Sequence, residues 1–120
     1  MNKIIAAALA MLFMVTAALA AKGTPESYSQ KILLKNWALS RCLSKAYPSE
    51  ISKNDAEITA GAFLEFSKFS LDANEKAEAL VDKFLAKKYD GSVKSNYNTM
   101  KCIDLFHSKE LDDLARRYTK

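Results

Sequence analysis

Asn98-Thr99-Met100-Lys101-Cys102-Ile103-Asp104-Leu105-Phe106-His107-Ser108 holds one of the two cysteines of the chain, its only histidine and a compact apolar run. Its distant counterpart, Lys35-Asn36-Trp37-Ala38-Leu39-Ser40-Arg41-Cys42-Leu43, carries the other cysteine and the only tryptophan. A bond between these two blocks would clamp the first helix of a small domain to a late one. Whether a cysteine pair oxidises depends on the compartment, and the N-terminus carries the address.

Met1-Asn2-Lys3 is a short positive start, Ile4 to Leu19 is uncharged and almost wholly apolar, and Ala18-Leu19-Ala20 is a small-x-small cleavage site. This is the pattern of a secretory signal peptide over residues 1–20, cleaved after Ala20, with residues 21–120 as one mature domain. The apolar run is shorter than the ~20 residues of a membrane-spanning helix, so no membrane contact is expected after cleavage. Position 21 is alanine, which argues against a lipid-anchored N-terminus. In an oxidising compartment an even count of two cysteines reads as one disulfide, Cys42–Cys102. A zinc site would need more ligands than two Cys and one His at these spacings, and a C-x-x-C redox motif is absent.

Cleavage removes Lys3 from the 18 basic residues and none of the 14 acidic ones, so the net charge falls by one from +4. The cations are interspersed with acids and form no basic run, which speaks against a nucleic-acid surface. Only three glycines and two prolines occur, and no alternating β-branched runs flank hairpin turns. The chain therefore reads as all-α, a compact bundle of four to five helices stapled by one disulfide.

Helix one is predicted from about Ser27 to Tyr47, ended by Pro48. Tyr28, Ile32, Ala38, Leu39, Cys42, Leu43 and Ala46 share one broad face, while Leu33, Leu34 and Trp37 lie on the other side. A helix apolar on two sides is either central or packed against a second copy. Lys35 falls inside the apolar arc and is expected to snorkel to water. Helix two opens at Asn54-Asp55-Ala56-Glu57 and continues to about Phe69, with Gly61 on its outer face. Helix three starts at Asp72 and runs to about Tyr89, burying Ala73, Ala77, Leu80, Val81, Phe84 and Leu85. Its reverse face carries Glu75, Glu78 and Asp82, either a solvated face or a contact for a basic partner.

Gly91 then suits the left-handed position that ends a helix. The segment Asp90-Gly91-Ser92-Val93-Lys94-Ser95-Asn96 is small, polar and long for a connector inside a bundle, which makes it the best exposed loop in the chain. Helix four, about Thr99 to His107, is expected to supply Met100, Cys102, Ile103 and Phe106 to the core. Ser108 caps a last helix from Lys109 to about Tyr118, with Leu111, Leu114, Ala115 and Tyr118 on one face.

Catalytic machinery is missing from this pattern. His107 lies five residues after Cys102, about 140° round a helix, and a disulfide-bonded cysteine is no nucleophile. No nucleophile–base–orienter set can be assembled, no phosphate-cradling glycine loop occurs, and no cofactor is expected. The residues describe an exported, stapled domain that acts by binding, not an enzyme.

The two cysteine-centred blocks, together with Leu80-Val81-Asp82-Lys83-Phe84-Leu85, resemble the type VI secretion amidase immunity proteins of family 4. The resemblance implies a periplasmic helical inhibitor of a cognate peptidoglycan amidase, a papain-like cysteine hydrolase injected by neighbouring cells. It further implies a homodimer that binds two amidase molecules, with a protruding loop entering each catalytic cleft. That loop maps to Asp90–Asn96, the only extended polar non-helical segment, with Glu75, Glu78 and Asp82 as further candidate contacts. Two other readings are a periplasmic acid-stress chaperone and a small peptidoglycan-active enzyme. A single histidine is a poor pH sensor for the first, and the missing catalytic set argues against the second.

Overall fold

A computed structural model describes residues 25–47 and 49–119 of the chain. The leader read over residues 1–20 and the helix stop assigned to Pro48 lie outside the described residues. After a 3-10 turn at Pro25–Ser27 come five helices: α1 (Gln30–Ala46), α2 (Glu50–Glu65), α3 (Leu71–Leu85), α4 (Asn98–His107) and α5 (Lys109–Tyr118). No strand occurs among the described residues, so the all-α bundle expected from the sequence is the architecture found.

Three of the five helices begin on a serine whose hydroxyl accepts an otherwise unpaired backbone N–H of the first turn. Ser29 takes Ile32 N, Ser70 takes Ala73 N and Ser108 takes Leu111 N. The Ser70 cap starts α3 just ahead of the predicted Asp72. Helix α2 begins at Glu50 and ends at Glu65, about one turn earlier at each end than the Asn54 and Phe69 limits read from the sequence. Its C-terminal turn is shaped from outside. The Gln30 side-chain amide donates to Phe66 O (3.1 Å) and accepts from Lys68 N (2.6 Å), tying the α2–α3 turn to the start of α1.

Helix α1 is central and touches all four others. This settles its two-sided apolarity: Leu33, Leu34, Trp37, Ala38 and Cys42 are all buried, while Tyr28 and Ile32 stay partly exposed. Ala73, Ala77, Val81 and Phe84 of α3, Leu105 of α4, and Leu111, Leu114 and Ala115 of α5 close around it. Helix α2 is the most thinly packed. It buries only Ala56 and Ala60 and leaves Ile51 and Ile58 exposed.

Two side-chain expectations are corrected. Lys35 reaches water only in small part. It lies 3.7 Å from Asp112 Oδ1 and 4.8 Å above the Phe106 ring, with its side chain 14% exposed, because α5 packs across the arc where the stem would leave. Met100 and Ile103 do not enter the core and are about half exposed. Helix α4 turns Lys101, Cys102 and Leu105 inward instead, since the bond to α1 fixes Cys102 as the centre of its buried face.

That bond is Cys42–Cys102, with Cα atoms 5.6 Å apart and both residues fully buried. Tying residues 60 positions apart removes chain entropy from the unfolded state worth about 4 kcal/mol. Replacing both cysteines with alanine is expected to lower the unfolding free energy by about that amount, read by urea denaturation through Trp37 fluorescence. An unchanged midpoint would show that the bond does not hold the fold.

Candidate functional site

The Asp90–Asn96 segment sits at the end of the bundle where α1 and α3 end and α4 begins, and all seven of its residues are exposed. Helix α3 ends at Leu85, four residues before the predicted limit, so the connection to α4 begins at Ala86. The carbonyl that the helix leaves unpaired at Leu85 accepts from Lys101 Nζ (3.1 Å). Lys101 is buried, its ammonium also approaches Asn98 Oδ1 (3.4 Å), and it stands 6.0 Å over the Tyr89 ring. A cation at the C-terminal end of a helix is also favoured by the helix dipole. Asn98 in turn donates to Ala46 O (3.2 Å), the last residue of α1. Two side chains from the first turn of α4 therefore cap the ends of both α1 and α3.

Hydroxyl contacts complete the anchoring. Tyr47 and Thr99 share a hydrogen bond, and Tyr89 donates to the Asp104 carboxylate, which holds the phenol protonated above its ordinary value of 10.0. Beside the loop, Ser95–Met100 together with Ala46, Tyr47 and Ile103 surround an open hollow of about 560 Å³.

Gly91 is not in the left-handed conformation expected of a residue that terminates a helix, and it lies six positions beyond Leu85. What a side chain here would displace is the Tyr97 ring. A Cβ at position 91 would stand 2.7 Å from Tyr97 Cζ and closer still to the hydroxyl. The left-handed residue here is Tyr97, at φ 52°, ψ 36°, immediately before α4.

The three acids on α3 are placed differently from one another. Glu78 is engaged inside the fold, receiving Arg41 Nε (3.1 Å) and Nη2 (2.9 Å) and lying 2.7 Å from Lys45 Nζ. Lys45 also reaches Asp82 (2.7 Å). Asp82 remains largely exposed, and Glu75 is exposed. Much of the charge at Glu78 is thus answered by α1, leaving Glu75 and Asp82 as the outward acids. The loop and this strip belong to different parts of the surface: the loop rises where α3 ends, the strip runs along its flank. Burial acts to raise the Glu78 pKa, but the hydrogen bonds from Arg41 and Lys45 outweigh it and hold the group below its ordinary 4.5. The same contact with Glu78 raises Arg41. For Lys45, burial acts downward and is overcome by the bonds to Asp82 and Glu78, so its pKa is raised.

Lys101 and Tyr97 do not stand out in the sequence as site residues. Lys101 had a signal, since it falls beside Cys102 and at helical spacing from Asn98 and Leu105, on the stripe that must face inward. Tyr97 had none, because aromatic residues rarely adopt the left-handed region.

The family model for type VI secretion system amidase immunity proteins, Tai4, matches residues 32–115. The chain belongs to the Tai4 family. A chain in the structure of the Tae4/Tai4 effector–immunity system from Salmonella typhimurium is 45% identical to it, with a TM-score of 0.75, covering 80% of this chain and 95% of that one. A chain in the Tae4–Tai4 complex from Enterobacter cloacae is 30% identical at a TM-score of 0.67, covering 75% of this chain and 92% of that one. A third, from work on type VI-secreted toxins and self-resistance proteins of Serratia marcescens, is 33% identical at 0.72, covering 78% and 77%. Comparison with curated proteins finds none that matches. No helix among the described residues is long and apolar enough to cross a membrane.

The Glu78 network makes a pH prediction. A carboxylate held below 4.5 in the fold stabilises it fully above that pH and loses the contribution as pH falls through the lower folded value. Glu78→Gln is expected to cost about 1 kcal/mol at neutral pH, after allowing for partial solvent screening. The wild-type advantage should shrink below pH 4.5, as read by urea denaturation across pH. Parallel acid limbs for the two proteins would contradict the assignment.

Proposed function

We propose that this chain is exported by the leader at residues 1–20, cleaved after Ala20, and acts in the periplasm through residues 21–120 as a non-enzymatic immunity protein. Its partner is a cognate type VI peptidoglycan amidase. Inhibition is by occlusion: Asp90–Asn96 enters the catalytic cleft and excludes the peptide substrate, with no covalent step and no cofactor. A homodimer would carry two such loops and hold two amidase molecules.

The observation that carries this reading is the exposed seven-residue loop standing on a stem pinned at both ends, in a chain of the Tai4 family. A narrow cleft admits thin, small-residue backbone, and Gly91, Ser92 and Ser95 supply it while offering hydroxyl and backbone groups for hydrogen bonds. The chains it resembles in Salmonella typhimurium and Enterobacter cloacae were solved within Tae4 effector–immunity systems, which supports an amidase as the partner. Glu75 and Asp82 face outward and would speed the approach of a basic surface more than they would tighten the final complex.

The purified mature domain is expected to form a tight complex with the amidase and to abolish its cleavage of muropeptide. Binding without inhibition would overturn occlusion. Arginine at both Ser92 and Ser95 is expected to weaken inhibition by about thirtyfold or more while the circular dichroism spectrum stays unchanged. Undiminished inhibition by that variant would overturn the loop assignment.

A further inference from the structure

We propose that Tyr97 is a positioning residue that latches the Asp90–Asn96 loop into its binding shape before any partner arrives. The proposal rests on the occlusion reading above and assigns the shape of the inhibitory element to a residue outside it.

Three observations meet at Tyr97. First, it is the one non-glycine residue with positive φ among the described residues. A bulky residue persists in that region only where its surroundings over-determine it, and such places cluster at functional sites. Second, the hydrogen bonds made by Gly91–Asn96 among the described residues both end on Tyr97. Its hydroxyl donates to Val93 O, and its backbone N–H donates to Ser95 Oγ (3.2 Å). Third, its ring lies so close over Gly91 that a methyl group there would collide with it. One side chain therefore holds positions 91 and 93, and its own backbone holds position 95.

Tyr97 can act as an anchor because it is itself fixed. Its carbonyl accepts Lys101 N (3.0 Å), the first hydrogen bond of α4, and α4 is bonded to α1 through Cys102. The left-handed turn is what folds the chain back so that the ring faces the loop and not α4. An unlatched loop of small polar residues would sample many conformations, and ordering them on binding would reduce affinity. A latched loop has already lost that freedom. Gly91 then leaves room for the ring, and a methyl group at position 91 would push the ring off the loop.

The test is a double-substitution cycle read by amidase inhibition and binding calorimetry. Tyr97→Asn keeps a residue that tolerates the left-handed region but removes the ring and its hydroxyl. Gly91→Ala keeps the ring and blocks its seat. Each alone is expected to weaken inhibition about tenfold. Binding should show a less favourable entropy, and the thermal midpoint should be unchanged. In the Tyr97→Asn background, Gly91→Ala should cost nothing further, because the collision is gone. If Gly91→Ala costs the same in both backgrounds, the glycine serves the partner and the latch is wrong. If both single variants inhibit as well as wild type while arginine at Ser92 and Ser95 destroys inhibition, the latch fails and the loop reading stands. If the arginine variant also inhibits normally, the loop reading itself fails.

Discussion

The buried bond between Cys42 and Cys102 joins the central helix to the helix that carries the loop. Everything at the α1–α3–α4 end follows from where that bond puts α4. Its first turn brings Asn98 to the last carbonyl of α1 and Lys101 to the last carbonyl of α3, so one short helix caps two longer ones. With ten residues, α4 is too short to be stable alone, and tertiary contact has to supply its order. The disulfide provides a contact that thermal motion cannot break.

Magnitudes rank the remaining forces. The ion pairs of Lys31 with Asp112 and of Lys83 with Glu110 lie at the surface, and those of Arg41 and Lys45 with Glu78 tie α1 to α3 but, being partly exposed, contribute about 1 kcal/mol or less each. A fully buried leucine such as Leu33, Leu105 or Leu111 contributes roughly 1.5–3 kcal/mol. The core and the disulfide therefore set the stability, and the charges set the register in which the helices meet. Little of this stabilisation reaches the loop, whose seven residues are all exposed. Its order has to come from its own contacts, and those converge on Tyr97.

The helical class, the disulfide and the buried stripes of α3 and α5 were legible in the sequence because each rests on a strong local signal. Ala73, Ala77, Val81 and Phe84 repeat at helical spacing, and a chain with two cysteines has one way to pair them. The loop was legible as a gap in that periodicity. The misread features are those decided by distant contacts. Lys35 is drawn inward by Asp112, which lies on α5. Met100 and Ile103 are turned outward because Cys102 fixes the rotation of α4. Gly91 looks like a conformational glycine, whereas its φ is not positive and the room it leaves is filled by the ring of Tyr97, six residues on. A single sequence shows which residues are small or apolar, and it does not show which side chain will lie over which backbone.

Entry of the loop into the catalytic cleft is tested by amide hydrogen exchange of residues 21–120 with and without the amidase bound. The loop residues between Asp90 and Asn96 are expected to gain the strongest protection in the complex, with Glu75 and the flank of α3 affected less. Unchanged exchange across Asp90–Asn96, with protection confined to another surface, would contradict it.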